Sequence, residues 1–298
     1  MSNPIPRKKL PSLETLEGYR WVQNGQSNYS GNLLRLYQAL DALFISWSRE
    51  VQAEEHQFPI FIQAKELKKL DYFRSFPHLI TFAACLDPSE ENLKAYTETE
   101  TLDANGAATL TKLTPICDCL TPAACYHFYI TFQGRELHAP LYLTTRANCF
   151  RRETHYIPLQ RQWNFGMREI VCVGTSDEVK AFLEKYRKLV GEFFEGLKFP
   201  IQWLQATDPF FDPSRNPKYL MQRLDPVKHE MIYEGELSIG SINFHRNYFG
   251  EAFKISRGGE DAYSGCVAFG MDRWIFALLN EYGPNAKDWP EEIQKRLG

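Results

Sequence analysis

The segment ANCFRRETHYIPLQRQWNFGMREIV, residues 147–171, predicts two β-strands joined by a long polar loop. Side chains alternate in direction along a strand, so residues of equal parity share a face. Arg151 and Glu153 therefore point the same way in the first strand, and Phe165 and Glu169 do so in the second. The hairpin could bring these groups into one cleft. The alternative is a surface ladder of cross-strand ion pairs, which is common in sheets.

The composition fits a folded protein that does not bind nucleic acid. The chain has 298 residues, which allows one large domain or two ordinary ones. Its hydrophobic content of 44% and charged content of 24% allow a sizeable core. The net charge is −3 and the sequence contains no basic block, so the electrostatic footprint of a dedicated nucleic-acid binder is missing.

The sequence predicts a cytoplasmic protein without a membrane partner. No apolar run approaches the ~18 residues that span a bilayer. The first residues, MSNPIPRKKLPSLETLEG, lack the apolar segment of a secretory signal. The seven cysteines are an odd count, and in the cytoplasm we expect them to be free thiols or metal ligands.

The periodicity predicts an α+β fold with a large antiparallel sheet. A helix is expected from Asn32 to about Ala53, a second after the capping box TSDE at 175–178, and a third from about Met271. Between them we predict strands at 58–62, 78–86, 123–132, 136–143, 228–233, 236–243, 253–256 and 263–269, besides the hairpin. Residues 1–30 read as an irregular N-terminal arm, and residues 31–298 as one domain.

The segment GCVAFGMDR, residues 265–273, joins a strand to a helix through a glycine. Arg273 would lie in the first turn of that helix, where backbone N–H groups already favour an anion. A guanidinium at this place can hold a phosphate with paired donors. The alternative is an ordinary turn with an exposed arginine.

Several side chains could bind a metal, although no Cys-x-x-Cys pair marks them. Cys125, Glu169 and Cys266 lie on three separate predicted strands. Rival candidates exist, and most single cysteines simply pack in a core. These rivals are Cys117, Cys119 and His127.

A further carboxylate, Glu236, begins the predicted strand ELSIGSIN, which ends at Asn243. Mg²⁺ is usually held by one or two carboxylates together with substrate phosphates. Glu236 could therefore bind Mg²⁺, or it could be a solvated strand end.

Motifs spread along the chain resemble those of a known family. FRRE at 150–153, Phe165 and FGMDR at 269–273 resemble motifs 2 and 3 of class II aminoacyl-tRNA synthetases. More closely, residues 33–298 resemble the amino acid:[carrier protein] ligases, which are truncated homologues of seryl-tRNA synthetases. This likeness also rests on PAACYHFY at 122–129, ATDPFFD at 206–212 and SINFHRNYFG at 241–250.

The resemblance implies a class II synthetase-like catalytic domain over residues 31–298, with helices flanking the antiparallel sheet. It implies ATP-dependent activation of a small amino acid, such as Gly, Ala or Ser, to an aminoacyl-AMP. The aminoacyl group would then pass to the phosphopantetheine thiol of an acyl or peptidyl carrier protein. The implied cofactors are Zn²⁺, ATP and Mg²⁺, and the implied assembly is a homodimer.

The resemblance also implies roles for the residues singled out above. Arg151 and Arg273 are the catalytic arginines: Arg151 would bind the α-phosphate and the amino acid carboxylate, and Arg273 would lie near the γ-phosphate. Glu153 would accept a hydrogen bond from the adenine amino group, and Phe165 would stack on adenine opposite Arg273. Glu236 would bind Mg²⁺. The residues implied to bind cofactors are thus Glu153, Phe165, Glu236 and Asn243. The implied zinc ligands are Cys125, Glu169 and Cys266.

Other readings of the resemblance stay open. The enzyme could use a small-molecule acceptor, or the chain could be a non-catalytic paralogue that binds an amino acid or adenylate. A role with tRNA is not expected, because a short arm replaces the long helical hairpin with which seryl-tRNA synthetases hold tRNA. Asp272 stands where Glu is more usual, and the loop between Glu153 and Phe165 departs from the family pattern. Carrier proteins are generally acidic, and the candidates for a basic face that docks them are Arg215, Lys218, Arg223 and Lys228. The alternative is a mixed, solvated surface.

Overall fold

The computed structural model describes residues 12–215, 217–225 and 227–297. The strands of this part of the chain are β1 Tyr19–Val22, β2 Gln26–Tyr29, β3 Glu54–His56, β4 Phe61–Gln63, β5 Phe82–Ala83, β6 Asp118–Leu120, β7 Glu136–Leu137, β8 Leu141–Phe150, β9 Asn164–Gly174, β10 Ile201–Gln205, β11 Lys228–Tyr233, β12 Leu237–Arg246, β13 Ser256–Arg257, β14 Glu260–Asp261 and β15 Tyr263–Gly270.

The α-helices of the same part are α1 Gly31–Ser48, α2 Ala64–Lys69, α3 Tyr72–Ser75, α4 Glu90–Glu98, α5 Tyr126–Thr131, α6 Ser176–Leu197, α7 Pro217–Leu224, α8 Tyr248–Phe253, α9 Met271–Tyr282 and α10 Glu291–Gln294. Within the described ranges, no helix is both long enough and apolar enough to cross a membrane.

A seven-stranded sheet forms the centre of the fold, in the order β10-β11-β12-β15-β9-β8-β3. Its neighbours are antiparallel except for the β3–β8 pair, which is parallel. Strand β9 shows how the sheet is covered on both faces. Ile170 and Cys172 belong to one hydrophobic cluster, whereas Val171 and Val173 belong to another. The predicted α+β fold with a large antiparallel sheet is confirmed.

Three long helices cover one face of this sheet. Helix α1 buries the predicted stripe of apolar residues at three- and four-residue spacings, and it packs against α9 and β9. Helix α6 begins at the predicted capping box, in which the Thr175 hydroxyl accepts from Glu178 N at 3.3 Å. The Glu178 carboxylate accepts from Thr175 N at 2.7 Å in return. Helix α9 follows Gly270 as expected.

The predicted strand at 123–132 is wrong, because residues Tyr126–Thr131 form helix α5. Tyr, Phe, Ile and Thr favour strands in general, but tertiary packing overrides such preferences. In the helix, Phe128 and Tyr129 are both buried, and the Tyr129 ring stacks on Phe249 with centroids 3.9 Å apart. This packing places α5 against α8, on the face of the sheet opposite to α6.

Other predicted elements also need correction. The predicted strand at 136–143 is broken after Leu137, where β7 ends, and β8 begins only at Leu141 in a different sheet. Residues 1–11 of the predicted arm lie outside the described residues, and the rest is not irregular, since β1 and β2 pair as a hairpin whose Tyr19 belongs to the main core. The predicted strand at 78–86 is reduced to β5, after a 3₁₀ turn at Pro77–Leu79. The predicted strand at 253–256 is instead the end of α8, followed by Lys254 in the left-handed conformation and then by β13.

Candidate active site

A cavity of about 580 Å³ lies on the face of the sheet opposite to α6, and residues of β9, β12 and β15 line it. Phe165, Met167 and Glu169 all line it, so the predicted shared face of this strand is confirmed. The cavity also gathers most of the residues singled out in the sequence. These are Cys125, Arg151, Glu153, Phe165, Glu169, Asn243, Cys266 and Arg273.

Arg151 lies at one wall of this cavity, just beyond the end of β8. It is outside the strand, but its backbone N–H still donates to Trp163 O at 2.9 Å, so the chain stays extended there. Its Nε donates to Pro122 O at 3.0 Å, and its guanidinium carbon lies 5.2 Å from the centre of the Phe165 ring. Arg151 is therefore in contact with the ring that the resemblance assigns to adenine.

Arg273 lies in the first turn of α9, as predicted. Its Nε donates to Gln160 O at 2.7 Å and its Nη1 to Ser238 O at 2.7 Å. Burial lowers the pKa of Arg273, and the positive charge of Arg151 lowers it further. Two guanidinium groups facing one cavity repel each other, so an anion between them would be stabilised.

Glu153 lines the cavity near the long loop of the hairpin. Its Oε2 accepts a hydrogen bond from Arg161 Nη1 at 3.3 Å, and both side chains are partly exposed. The neighbouring Arg152 does not line the cavity, and its guanidinium lies beside the rings of Tyr156 and Trp163. The hairpin is therefore an ordered wall of the cavity and not a plain surface ladder of ion pairs.

Asp272 ties three parts of the chain together beneath this wall. Its Oδ2 accepts from the backbone N–H of Gly166 at 2.8 Å, and its Oδ1 accepts from the Tyr29 hydroxyl. The side chain is 5% exposed, and burial raises its pKa. Asp272, which stands where the family more usually has Glu, therefore links the N-terminal hairpin and β9 to α9.

Cys125, Glu169 and Cys266 form a buried trio at the other part of the cavity. One ligand atom from each lies within 4.8 Å of the other two, and no other group of this kind occurs among the described residues. Glu169 Oε1 accepts from Ala124 N at 3.2 Å, whereas its Oε2 is buried and has no hydrogen-bond partner in the described part of the chain. Such an unsatisfied oxygen is costly unless something binds it.

The electrostatics of the trio favour a cation. Burial raises the pKa of Glu169 to about 8, and the nearby sulfur of Cys266 adds to the shift. The hydrogen bond between the two thiols raises the pKa of Cys125 and lowers that of Cys266. Three acidic groups packed this closely cannot all ionise without a counter-charge. Two thiols and one carboxylate form a donor set that fits zinc, so the residues pass this test.

The sequence analysis placed the three residues of the trio on three strands, and for Cys125 this prediction is wrong. Cys125 is the N-cap residue of α5, while Glu169 lies on β9 and Cys266 on β15. The three rival ligands lie elsewhere. Cys117 is exposed, Cys119 is buried in a small apolar cluster, and the His127 ring stacks on Phe58.

Glu236 does not reach the cavity, and its expected role as a Mg²⁺ ligand is not supported. Strand β12 begins only at Leu237, and Glu236 is the exposed last residue of the preceding turn. The central residues of that turn, Glu234 and Gly235, both have positive φ, as in the type I′ turns that close hairpins. Glu230, on β11, lines the cavity instead.

Asn243 lies beside the trio and forms a hydrogen bond to one of its members. It faces Cys266 across the β12–β15 pair, and its Nδ2 donates to Cys266 Sγ at 3.3 Å and to Ser241 Oγ at 3.0 Å. The structure therefore associates Asn243 with the candidate metal ligands.

Two cavity residues escaped the sequence analysis. Lys228 is a candidate for the docking face in the sequence analysis, but in the structure it lines the cavity. Its ammonium group pairs with Asp208 at 3.0 Å and with Glu230 at 3.4 Å. The equal parity of Lys228 and Glu230 on β11 could have indicated this. His245 was quoted within a motif but given no role, and its Nε2 lies 3.5 Å from Cys266 Sγ.

Of the other candidates for the basic docking face, the structure describes the side chain of Arg223. Arg223 is exposed, with its guanidinium 6.0 Å from the centre of the Tyr219 ring. The side chains of Arg215 and Lys218 lie outside the described residues.

Comparison with known structures agrees with this fold. The seryl-tRNA synthetase of M. kandleri, in a crystal structure with A. aeolicus tRNASec, matches with a TM-score of 0.80 and 20% identity, over 99% of this chain and 62% of the other. The prolyl-tRNA synthetase of Giardia lamblia, solved with prolyl-adenylate, matches with a TM-score of 0.65 and 16% identity, over 88% of this chain and 49% of the other. At these identities the likeness shows the fold alone.

Comparison with known sequences shows the family. Residues 118–282 match the tRNA synthetase class II core domain (G, H, P, S and T). Amino acid–[acyl-carrier-protein] ligases 1 and 2 of Bradyrhizobium diazoefficiens are each 34% identical to this chain over 86% of its length, and the matches cover 80% and 78% of theirs. A type-2 serine–tRNA ligase of Methanococcus maripaludis is 27% identical over 96% of this chain and 60% of its own. The chain therefore belongs to the class II tRNA-synthetase core family and, within it, to the amino acid–[acyl-carrier-protein] ligases, which are ATP-dependent ligases.

Proposed function

We propose that this protein activates a small amino acid with ATP and transfers it to the phosphopantetheine thiol of a carrier protein. The observation that carries the proposal is the single cavity lined by Arg151, Arg273, Phe165 and the trio of Cys125, Glu169 and Cys266. Such a cavity offers cations for a polyphosphate and, apart from them, a site for an amine. The names of the two ligases in Bradyrhizobium diazoefficiens support the carrier protein as the acceptor.

The two arginines would act on the phosphates. In the first step the substrate carboxylate attacks the α-phosphorus, an acyl–phosphate bond forms and pyrophosphate leaves. Arg151 and Arg273 supply positive charge where negative charge accumulates in that step. They also hold the two reactants together, and no protein nucleophile is needed. In the second step the carrier thiol attacks the acyl carbon and AMP leaves.

The ring of Phe165 and the Glu153 carboxylate would bind adenine. A phenyl ring presents a flat apolar face to a base, and a carboxylate accepts a hydrogen bond from an exocyclic amine. Glu153 now pairs with Arg161, so ATP binding would exchange that contact for one with adenine. Mg²⁺ is expected for a class II ligase, and Glu230 replaces Glu236 as its candidate carboxylate. Glu230 lies close enough to Arg273 for its negative charge to oppose the lowering of the Arg273 pKa by burial.

Cys125, Glu169 and Cys266 would hold zinc. Zinc bound there would supply an open Lewis-acid position for the neutral α-amine of the amino acid. We propose glycine, alanine or serine as the amino acid. The large side chains of Tyr72, Tyr126 and Phe249 line the same cavity as the trio, which favours a small substrate side chain.

The family membership supports two further proposals, one about the assembly and one about the acceptor. We infer that two chains pair as a homodimer and that tRNA is not the acceptor. Light scattering on the purified protein measures the first inference directly. Charging assays with unfractionated tRNA measure the second, and stable aminoacyl-tRNA above background would contradict it.

The transfer step can be tested with a radiolabelled amino acid, ATP and a carrier protein. The control is the same carrier protein without its phosphopantetheine arm. We expect label on the modified carrier only, in a bond that hydroxylamine cleaves as it cleaves thioesters. Activation of the amino acid without label on any carrier would favour a small-molecule acceptor. Absence of activation would favour a binding-only paralogue.

A further inference from the structure

His245 occupies an unusual place at the end of β12, next to the trio. Along β12 and β15, Phe244 pairs with Gly265 and Arg246 pairs with Ser264, so His245 is the extra residue of a β-bulge. Arg246, which follows it, has a φ of +55°, a value that side-chain-bearing residues rarely adopt. Bulges often occur beside active sites, where they re-aim one side chain. Here the re-aimed side chain is the imidazole.

The position of the imidazole is fixed by its neighbours. Phe249 meets its ring edge-on with centroids 5.0 Å apart, and the Phe249 ring itself stacks on Tyr129. On one side of the imidazole, Nδ1 lies 3.2 Å from the Tyr129 hydroxyl and 3.1 Å from the Ser264 hydroxyl. On the other side, Nε2 lies 3.5 Å from Cys266 Sγ. The ring thus bridges two buried hydroxyl groups and one candidate metal ligand.

The chemistry of these partners determines which nitrogen donates. A cysteine that binds a metal is a thiolate, and a thiolate sulfur can only accept. Nε2 must therefore carry the hydrogen in that contact. Either hydroxyl group can donate to the single lone pair of Nδ1, so the neutral ring with its hydrogen on Nε2 satisfies both sides. The same sulfur also accepts from Asn243 Nδ2 at 3.3 Å.

We propose that His245 is a positioning residue, which donates its Nε2–H to the Cys266 thiolate and orients that sulfur for the metal without binding the metal itself. This inference rests on the zinc site of the proposed function. Hydrogen bonds from outer groups fix the geometry and tune the affinity of a metal ligand. The trio already supplies three ligand atoms within 4.8 Å of one another, and His245 is not part of that group. A histidine ligand would also close the position that the amine needs.

Metal binding by the purified enzyme tests this directly. Wild type, His245→Leu and His245→Gln are stripped of metal and titrated with Zn²⁺ against a chromophoric chelator, and with Co²⁺ while thiolate-to-cobalt absorption is recorded. Leucine fills a similar volume without a donor, whereas the glutamine amide can place an N–H close to the Nε2 position. We expect His245→Leu to bind Zn²⁺ about 10- to 100-fold more weakly, with a shifted absorption band. We expect His245→Gln to restore most of the affinity.

The unfolding midpoints of the metal-free proteins show whether the leucine variant is folded. If it is not, Ser264→Ala serves in its place, with the expectation of a smaller loss because it removes one of the two donors to Nδ1. Equal affinity and equal absorption in wild type and His245→Leu would overturn the positioning role while leaving the zinc site intact. Loss of one ligand from the cobalt spectrum would show that His245 is itself a ligand, which also overturns it. A wild type that binds no metal would remove the zinc site and this inference with it.

Discussion

Phe165 and Glu169 lie on the same face of one strand, four residues apart, and both line the same cavity. A strand rises by about 3.3 Å per residue, so their backbone positions are separated by about 13 Å. Strand β9 therefore sets the distance between Phe165, which would contact adenine, and Glu169, which would bind the metal. Because β9 is an inner strand, paired with β15 on one side and β8 on the other, the sheet holds this spacing rigidly.

The first prediction concerns the metal. Cys266→Ala should reduce bound zinc, measured by elemental analysis of the purified protein, from about one ion per chain to a small fraction, because it removes one of three ligands. Cys117→Ala is the matched control, since this thiol is exposed and outside the trio. Equal zinc content in the two variants would place the metal elsewhere.

The second prediction concerns Arg151. Arg151→Lys keeps a positive charge but loses the planar, paired donors that suit a phosphate, so kcat/KM for activation should fall by about 10²- to 10³-fold. Arg152→Gln is the control. Its guanidinium lies beside the rings of Tyr156 and Trp163 and is not part of the cavity lining. Steady-state pyrophosphate exchange measures both, and a similar loss in the two variants would argue for a general effect on the hairpin.

The third prediction separates binding of ATP from chemistry. Phe165→Leu removes the ring but keeps an apolar side chain, so the KM for ATP should rise roughly tenfold or more while kcat changes little. Phe165→Tyr keeps the ring and should stay close to wild type. A selective loss of kcat in the leucine variant would show that the ring acts in the reaction and not on the base.

The fourth prediction concerns stability and pH. The bond with Arg257 lowers the pKa of Glu178, which also closes the capping box of α6. A carboxylate with a lowered pKa in the folded state stabilises it above the unfolded value of 4.5 and loses this effect as the pH falls. Glu178→Gln should therefore lower the unfolding free energy by about 1 kcal/mol at pH 7 and by less below pH 4.5.

Glu184→Gln is the control for that prediction, because Glu184 is an exposed residue in the middle of the same helix. Denaturant titrations at pH 7 and pH 4 measure both variants. A deficit in Glu178→Gln that stays constant across this range would mean that the charge of the carboxylate is not what stabilises the cap.

The sequence allowed much of the sheet and the long helices to be predicted, for a physical reason. Helices α1, α6 and α9 each bury one stripe, and β11 and β15 are continuous strands close to their predicted bounds, so local periodicity carries the information. Helix α5 was missed because its six residues are strand-favouring and become helical only through packing on α8.

The site was less predictable than the fold. The ligand candidates come from a helix N-cap and two neighbouring strands, so no sequence spacing joins Cys125 to Glu169 and Cys266. Only the family resemblance distinguished these three residues from their rivals Cys117, Cys119 and His127. Glu236 was misplaced because a strand prediction uncertain by one residue moves a side chain from the cavity to an exposed turn. The role of His245 depends on a bulge, which local pattern does not reveal.

The central claim is that this cavity activates an amino acid with the help of the trio. Amino-acid-dependent exchange of pyrophosphate into ATP tests it most directly, across the proteinogenic amino acids, with zinc-loaded wild type and with Cys125→Ala. We predict exchange with one or a few small amino acids in the wild type and its loss in the variant, with both proteins folded. No exchange with any amino acid in a folded, zinc-loaded wild type would contradict the claim, as would undiminished exchange in Cys125→Ala.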